Sequence, residues 1–446
     1  MAMAAAKRKA MIVGLGKTGL SVARHLHAHG CAIAITDSRA NPPGLEVLRA
    51  ELPDAAVFVG GFSDAAAANA DFVVVSPGVP LNDPFLRRLR DGGVEIIGDI
   101  ELFARAVKQP VIAITGSNGK STVTTLVAEM ASQAGRKVAL GGNLGVPALE
   151  LLEQRADVHV LELSSFQLES TATLAPLAAA ILNVTPDHID WHGDMASYAR
   201  AKGRIFHNAA VCVFNRDDAW SARLAEDMPQ AVSFGLDAPV RDIDFGIRDH
   251  RGEAWLARGA ENLLPVSALR IRGAHNQANA LAALALGHAA GLAQEAMIET
   301  LKEFAGLPHR MTPVADIDGV SYVDDSKGTN VGASVAAIRG ADRPVVLIAG
   351  GDGKGQDFAE FAEAMLGRVH HVVLLGKSAN EIEAAIGGRI PCRHVAGMEE
   401  AVKAAHEAAR PGDMVLLSPA CSSLDMFSGF EARGRAFAAA VEELAR

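Results

Sequence analysis

Short Val-, Ile- and Leu-rich runs recur along the chain, each followed by an alanine-rich stretch with apolar residues at helical spacing. Apolar strands alternating with helices are what a parallel sheet covered on both faces requires, so the pattern predicts βα units. The rhythm starts three times. AMIVG (10–14), AIAITD (32–37), AVFVG (56–60), DFVVVS (71–76) and VEIIG (94–98) make a first block. A second opens near GDIELF (98–103) and runs through PVIAIT, KVALGG, VHVLELS and AAILNV. It turns strand-rich between 231 and 272 and closes with a helix at 275–291 and another reaching Phe304. Beyond GLPHR (306–310), whose Gly and Pro suit a linker, VSYVDD (320–325), PVVLIAGG (344–351), HHVVLLG (370–376) and MVLLSPA (414–420) form a third. Three α/β domains are expected, with bounds 1–98, 99–306 and 307–446.

Between the strand-like PVIAIT and the helical TTLVAEMASQ lies AITGSNGKST (113–122). Gly116 and Gly119 let the backbone curl so that several amides face one concavity. Lys120 adds a mobile positive charge, and Ser121 offers a hydroxyl to Mg²⁺. A nucleoside triphosphate is the natural guest. The strict phosphate-loop pattern wants glycine six residues before Lys120, and Ile114 stands there. A second glycine loop, GLGKTG (14–19), follows the first strand, with Asp37 closing the next one. Such a loop admits a close-lying diphosphate and the acid suits a ribose hydroxyl, so a dinucleotide and a UDP-sugar are equally admissible. The SPG turn at 76–78 falls on the same carboxyl edge.

Composition narrows the partners. A chain of 446 residues, 49% hydrophobic, has material for several cores, while a net charge of −10 and no long Lys/Arg run argue against nucleic acid. Apolar runs are too short for a bilayer span, and no leader precedes the first strand, so a cytoplasmic protein is expected. Cys31, Cys212, Cys392 and Cys421 are far apart without C-x-x-C spacing, which suits reduced structural thiols.

Other chemistry-bearing residues sit at strand ends. Glu162 in VLELSSFQLE could hold Mg²⁺ beside a γ-phosphate or cap the following helix. His188, between Asp187 and Asp190, is open to three roles: metal ligand, acid–base group or helix cap. Lys202 reads by periodicity as a solvated helix lysine, and Asn276 as a cap on a long apolar helix. Arg310, Asp325 and Lys327 lie at domain edges within reach of a nucleotide, the arginine suited to phosphate and the aspartate to ribose. Lys354 in GGDGKGQDF offers an anion loop or a flexible one. In SPACSSLDMFSGFEARG, Ser423 is placed at the start of the last helix, with Phe430 a turn or two further on.

Taken together, GLGKTGLS, GDIELF, TGSNGKST, ELSSFQLE, NVTPDHIDWH, GLPHR, DDSKGTN, GGDGKG and SPACSSLDMF resemble the motifs of the Mur ligases, from about residue 9 to the C-terminus. The closest likeness is to the D-glutamate-adding branch. The resemblance implies a Rossmann-like UDP-sugar domain, a central P-loop-type ATPase domain and a Rossmann-like amino-acid domain. It further implies a cytoplasmic, monomeric enzyme joining D-glutamate to UDP-MurNAc-L-Ala through an acyl phosphate, at the expense of ATP. The product would feed peptidoglycan synthesis and thereby cell shape and division.

By the same resemblance, Gly116, Ser117, Asn118, Gly119, Lys120, Ser121 and Thr122 bind ATP, together with Asn276, Arg310, Asp325 and Lys327. Ser121, Glu162, His188 and Lys202 would serve Mg²⁺, with Lys202 carbamylated, and Lys120, His188 and Lys202 would be catalytic. Thr18, Asp37, Ser38, Arg39, Gly78 and Asn143 would lie along the UDP-substrate, and Thr329, Lys354, Ser423 and Phe430 along D-glutamate. Thr312 stands where the family often has an acidic residue, so an ion pair to Arg310 is not available there. The T-G-x-N-G-K-[ST] loop, by contrast, is the family's own variant.

Overall fold

The computed structural model describes residues 8–445. It contains three sheets. The first joins β1 (Lys9–Val13), β2 (Ala32–Asp37), β3 (Ala56–Val59), β4 (Phe72–Val75) and β5 (Glu95–Gly98) in the order β3-β2-β1-β4-β5, all parallel. Order reverses beside β1, so the loops after β1 and β4 part and leave a crevice at the carboxyl edge, where GLGKTG and SPG lie.

The second sheet has nine strands: β6 (Val111–Thr115), β7 (Val138–Gly142), β8 (Val158–Glu162), β9 (Ala178–Ile181), β10 (Val211–Asn215), β11 (Ala231–Phe234), β12 (Phe245–His250), β13 (Glu253–Arg258) and β14 (Glu261–Pro265). Their order is β14-β13-β12-β11-β10-β9-β6-β8-β7. Central β6 is buried at every position between β8 and β9, which aims the phosphate loop out of the sheet's middle. The last three strands pair antiparallel. Their first turn, Arg251-Gly252, has φ of 59° and 83°, the mirror-image turn that matches strand twist.

In the third sheet, β15 (Thr312–Ile317), β16 (Val320–Asp324), β17 (Val345–Gly350), β18 (Val369–Leu375), β19 (Cys392–His394) and β20 (Met414–Leu417) take the order β15-β16-β20-β17-β18-β19. Alternation builds two cores here. Val345, Leu347, Leu374 and Leu416 pack on one face, while Val346, Ile348, Val373 and Val415 pack on the other. Helices cover both, and each such side chain contributes about 1.5–3 kcal/mol by leaving water.

The chain divides into two compact bodies. One holds the first two sheets and runs to Asn183, with Ala199–Ala268 and Ala278–Lys302; the other holds Val184–Tyr198, Leu269–Gln277 and Glu303 onward, with the third sheet. Two strands not expected from the sequence, β15 and β19, lie at opposite edges of that sheet. The last helix is Phe430–Leu444, so Ser423 lies in the turn before it and Phe430 opens it, a correction to the placement read from the sequence. An irregular turn is favoured because Ser423 is buried and its carbonyl accepts the amides of Met426 and Phe427. All four cysteines are free thiols, and among the described residues no helix is long and apolar enough to cross a membrane.

Candidate active site

In the first body the phosphate loop leaves β6 at Thr115. Gly116 (φ 158°) and Gly119 (φ 83°) take conformations that side chains disfavour, and a Cβ on Gly119 would lie 2.4 Å from Asn279 Oδ1. Asn183 pins the loop from the neighbouring strand end. Its carbonyl accepts the Ser117 amide at 2.9 Å, its Oδ1 accepts the Asn118 amide at 2.8 Å, and its Nδ2 donates to the Asn118 carbonyl at 3.0 Å. The helix Lys120–Gln133 then starts with no side-chain cap and no acid in its first turn, so its positive end faces the concavity. Lys120 Nζ folds back onto the Gly116 and Ser117 carbonyls, both at 2.8 Å. Thr122 is buried in the helix's first turn.

Ser121 Oγ donates to Glu162 Oε2 at 2.6 Å, and Asn143 Nδ2 donates to Glu162 Oε1 at 2.6 Å. Glu162 ends β8 beside β6, and the Asn143 amide donates to its carbonyl at 2.8 Å, so the carboxylate is placed by sheet register as well as by side chains. A hydroxyl and a carboxylate meeting beside a phosphate loop are the oxygen donors that Mg²⁺ takes. Among the described residues no three His, Cys, Asp or Glu side chains cluster into a metal cage.

Lys202 departs from its sequence reading. It is 2% exposed and its Nζ donates to the Gly116 carbonyl at 2.8 Å, so it is a buried part of the phosphate-loop surroundings and no solvated lysine. The helix Met195–Gly203 delivers it there, and periodicity alone could not reveal a partner 86 positions away.

At the first sheet, the glycine loop is built as a diphosphate approach requires. Gly14 has φ 95°, a Cβ on Gly19 would lie 2.0 Å from the Gly14 carbonyl oxygen, and one on Gly16 would meet nothing. Asp37 accepts the Leu15 amide at 2.7 Å, the Arg39 amide at 2.9 Å, and the Arg39 guanidinium at 2.9 Å and 2.7 Å. Burial alone would raise its carboxyl, but these donors outweigh burial and bring it to about 2. Asp37 therefore ties the loop and presents Arg39 at the rim, where Ser38 and Gly78 are exposed and Thr18 half-buried.

In the second body, three groups form. His188 opens a short helix with φ 54° and without a side-chain cap, and its Nε2 lies 3.6 Å from Asp187 Oδ1. Asp187 also accepts from Lys354 Nζ at 3.4 Å and from Asn330 Nδ2 at 3.3 Å. Asn330 in turn caps the helix Val331–Gly340 through the Ala333 amide. Nearby in sequence, the Thr329 amide donates to the Lys327 carbonyl.

The second group centres on Asp325, whose Oδ2 accepts from Ser418 Oγ at 2.7 Å. Burial raises its carboxyl to about 6, with the Arg310 charge pulling the other way. Burial and that same arginine lower His275 to about 4. Asn276, expected as a cap, is instead the third residue of the helix Ala274–Ala289, and its Nδ2 donates to the Arg272 carbonyl at 2.8 Å. In the third group Lys327 Nζ stands 5.1 Å from the centre of the Phe430 ring, and His309 meets the same ring edge-on. Behind them the buried Arg433 donates to Ser326 Oγ (3.0 Å), the Ser326 carbonyl (2.8 Å) and the Cys421 carbonyl (3.1 Å), joining two loops that carry candidate residues.

Asn183, Asp187 and Arg433 were not singled out from sequence. Asn183 and Asp187 follow the apolar run AAIL on a carboxyl edge, which was a usable signal; Arg433 lies in a helix that looks solvent-facing.

Comparison with known proteins agrees with this architecture. The Mur ligase MurD-like N-terminal domain matches residues 8–98, the Mur ligase middle domain 114–287, and the Mur ligase glutamate ligase domain 309–421. The chain is 51% identical to a UDP-N-acetylmuramoylalanine–D-glutamate ligase of Nitrosococcus oceani, covering 97% of this chain and 96% of that one. It is equally identical, 51%, to one of Pseudomonas aeruginosa, with both chains covered in full. Among solved structures it resembles the UDP-N-acetylmuramate–alanine ligase of Thermotoga maritima, at TM-score 0.63, 21% identity and coverage of 98% and 99%, a likeness of fold. With all three domain patterns matched in order and relatives aligned end to end, the chain belongs to the Mur ligase family.

Proposed function

We propose that this chain forms the amide bond between the carboxyl group of UDP-N-acetylmuramoyl-L-alanine and the amine of D-glutamate, converting ATP to ADP and phosphate in peptidoglycan precursor synthesis. The observation that carries the reading is the joined group of Lys120, Ser121 and Glu162 at the end of β6 and β8, in a chain half identical to ligases named for this reaction. Its domains are read as 1–98 for the nucleotide sugar, 99–306 for ATP and 307–446 for the amino acid. Sheet extents of 9–98, 111–265 and 312–417 support those bounds. The setting is taken to be cytoplasmic, which suits four free thiols.

A carboxylate resists amine attack because oxide would have to leave. Transfer of the γ-phosphoryl group to that carboxylate makes an acyl phosphate, the amine adds to its carbonyl carbon, and phosphate departs with the carbon–oxygen electron pair. Lys120 and the uncapped helix end would neutralise the phosphate oxygens, and the loop amides would fix them for in-line transfer. Ser121 and Glu162 would hold Mg²⁺, with Lys202 as a carbamate and His188 in supporting roles; the cation, when bound, offsets repulsion between carboxylate and phosphate. Asn276, Arg310, Asp325 and Lys327 are assigned to the nucleotide, and Thr329, Lys354, Ser423 and Phe430 to D-glutamate. Thr18, Ser38, Arg39, Gly78 and Asn143 are assigned to the UDP-substrate, with Asp37 acting through Arg39 and the glycine loop.

Phosphate release tests the reading. With ATP, Mg²⁺ and UDP-N-acetylmuramoyl-L-alanine, D-glutamate should stimulate it and L-glutamate should not. Release indifferent to D-glutamate would leave a nucleotide hydrolase, and the ligase assignment would fall.

A further inference from the structure

Beside the anion loop of the second body lies a cavity of about 370 Å³ that none of the roles above uses. Its floor is one face of the helix Val331–Gly340, where Val331, Val335 and Ala336 turn the same way because the helix repeats every 3.6 residues. Thr185 and Pro186, just ahead of Asp187, form one wall. The charged part of the lining is Arg339, Asp357 and Glu360, all exposed, which puts them at the mouth. Arg339 and Glu360 meet there only at 3.5 Å, with 59% and 60% of their side chains exposed, and so loose a pair is readily given up to a ligand. One cation and two anions thus stand over an apolar interior. The volume is at the low end of ligand pockets, about 300–1,000 Å³, and suits a body of amino-acid size rather than a nucleotide. Buried Gln356 joins this lining to the loop of Lys354: its Oε1 accepts the Val331 amide at 2.9 Å, and its Nε2 donates to the Gly353 carbonyl at 2.9 Å. Pro186 leads into Asp187, which accepts from Lys354 itself.

We infer that this cavity is an effector site for an α-amino acid with a branched hydrocarbon side chain. The ammonium answers Asp357 and Glu360, the carboxylate takes over Arg339, and the side chain displaces water from Val331, Val335, Ala336 and Pro186. A bare amine would leave Arg339 without an added partner, and a bare carboxylate would face two acids, whereas the zwitterion matches all three charges. An occupant touches both supports of Lys354, the Thr185–Pro186 wall and Gln356. Resting on the D-glutamate reading of Lys354, filling the cavity therefore changes the affinity for that substrate.

Calorimetric titration of the full-length protein tests this with L- and D-leucine, with isoamylamine, which lacks the carboxylate, and with 4-methylpentanoate, which lacks the ammonium. One leucine enantiomer should bind with a Kd of about a millimolar or tighter, and each analogue about tenfold more weakly, as loss of a charge-assisted bond requires. Ala336→Phe should fill the cavity and abolish leucine binding with the unfolding midpoint unchanged. Arg339→Met should bring leucine down to the affinity of isoamylamine. Excess D-glutamate should not displace leucine, and leucine should shift KM for D-glutamate by about fivefold in the wild type but not in Ala336→Phe. No leucine binding, binding undiminished in both variants, displacement by D-glutamate or an unmoved KM would each overturn the inference. If phosphate release never depends on D-glutamate, the ligase reading falls, and the titrations still decide whether the cavity takes the amino acid.

Discussion

Two lysines, Lys120 and Lys202, donate to one oxygen, the Gly116 carbonyl, each at 2.8 Å. Their nitrogens are therefore at most about 5.6 Å apart, and at an effective dielectric near 20 two positive charges repel there by about 3 kcal/mol. Lys202 is 2% exposed, so water screens little of this. Addition of CO₂ to the neutral amine forms an N–C bond, releases a proton and leaves an anion, turning that repulsion into attraction of similar size. Burying the new anion offsets part of the gain, so carbamylation should stabilise the protein by about 1–3 kcal/mol net. Urea unfolding in bicarbonate-equilibrated and CO₂-stripped buffers of equal pH and ionic strength reads this directly. The wild type should shift to higher urea in bicarbonate. Lys202→Met should not respond, and in stripped buffer should match or exceed the wild type while losing ligase turnover. Short carboxylic acids should restore part of the activity of Lys202→Ala by supplying the missing anion. Equal wild-type midpoints in the two buffers, or a Lys202→Met protein less stable by more than about 3 kcal/mol, would refute the reasoning, since an ammonium would then be the favoured occupant.

Three further outcomes are expected. Lys120→Ala should lower phosphate release by about a thousandfold with binding of the UDP-substrate little changed, as separate turnover and calorimetric measurements can check. Gly19→Ala places a Cβ 2.0 Å from the Gly14 oxygen, which should cost about 1–3 kcal/mol in urea unfolding and raise KM for the UDP-substrate but not for ATP; an unaltered protein would show that the helix and loop can part freely. Burial lifts the Asp99 carboxyl to about 6 against a hydrogen bond from Gln167, so the folded state holds a proton that the unfolded chain has released. Its contribution to stability is full below the unfolded value of about 3.9 and is lost as pH rises through 6. Asp99→Asn should flatten the unfolding free energy across that window and gain up to about 3 kcal/mol at pH 7; an unchanged pH slope would remove Asp99 from the account.

In the third sheet the strands that were legible in sequence are those buried on both faces. The strand β17, VVLIAG, is apolar at every position because helices cover it on each side; β6, β8 and β9 of the second sheet read equally well, whereas β10 beside them was not picked out. The edge strands of the third sheet were not legible. The strand β19 has three residues, two of them, Arg393 and His394, charged or polar, and β15, TPVADI, contains a proline that argues against a strand. Proline is tolerated there because β15 is an edge. The Asp-Gly pair between β15 and β16, with φ of 51° and 78°, is the local signal of this hairpin.

The sequence by itself determined what depends on near neighbours: the strand–loop–helix units, the glycines whose φ only glycine tolerates, and the Lys-Ser pair opening a helix after a buried strand. Only the tertiary structure decided which distant side chains share an environment. Ser121 meets Glu162 across 41 positions, Asn183 pins the phosphate loop across 65, Lys202 is buried against it across 86, and Arg433 reaches Ser326 across 107. A helix or strand fixes the direction of its own side chains, whereas parallel sheet order, set by crossovers, fixes which carboxyl ends become neighbours. The charge state and burial of each lysine or aspartate follow from those neighbours.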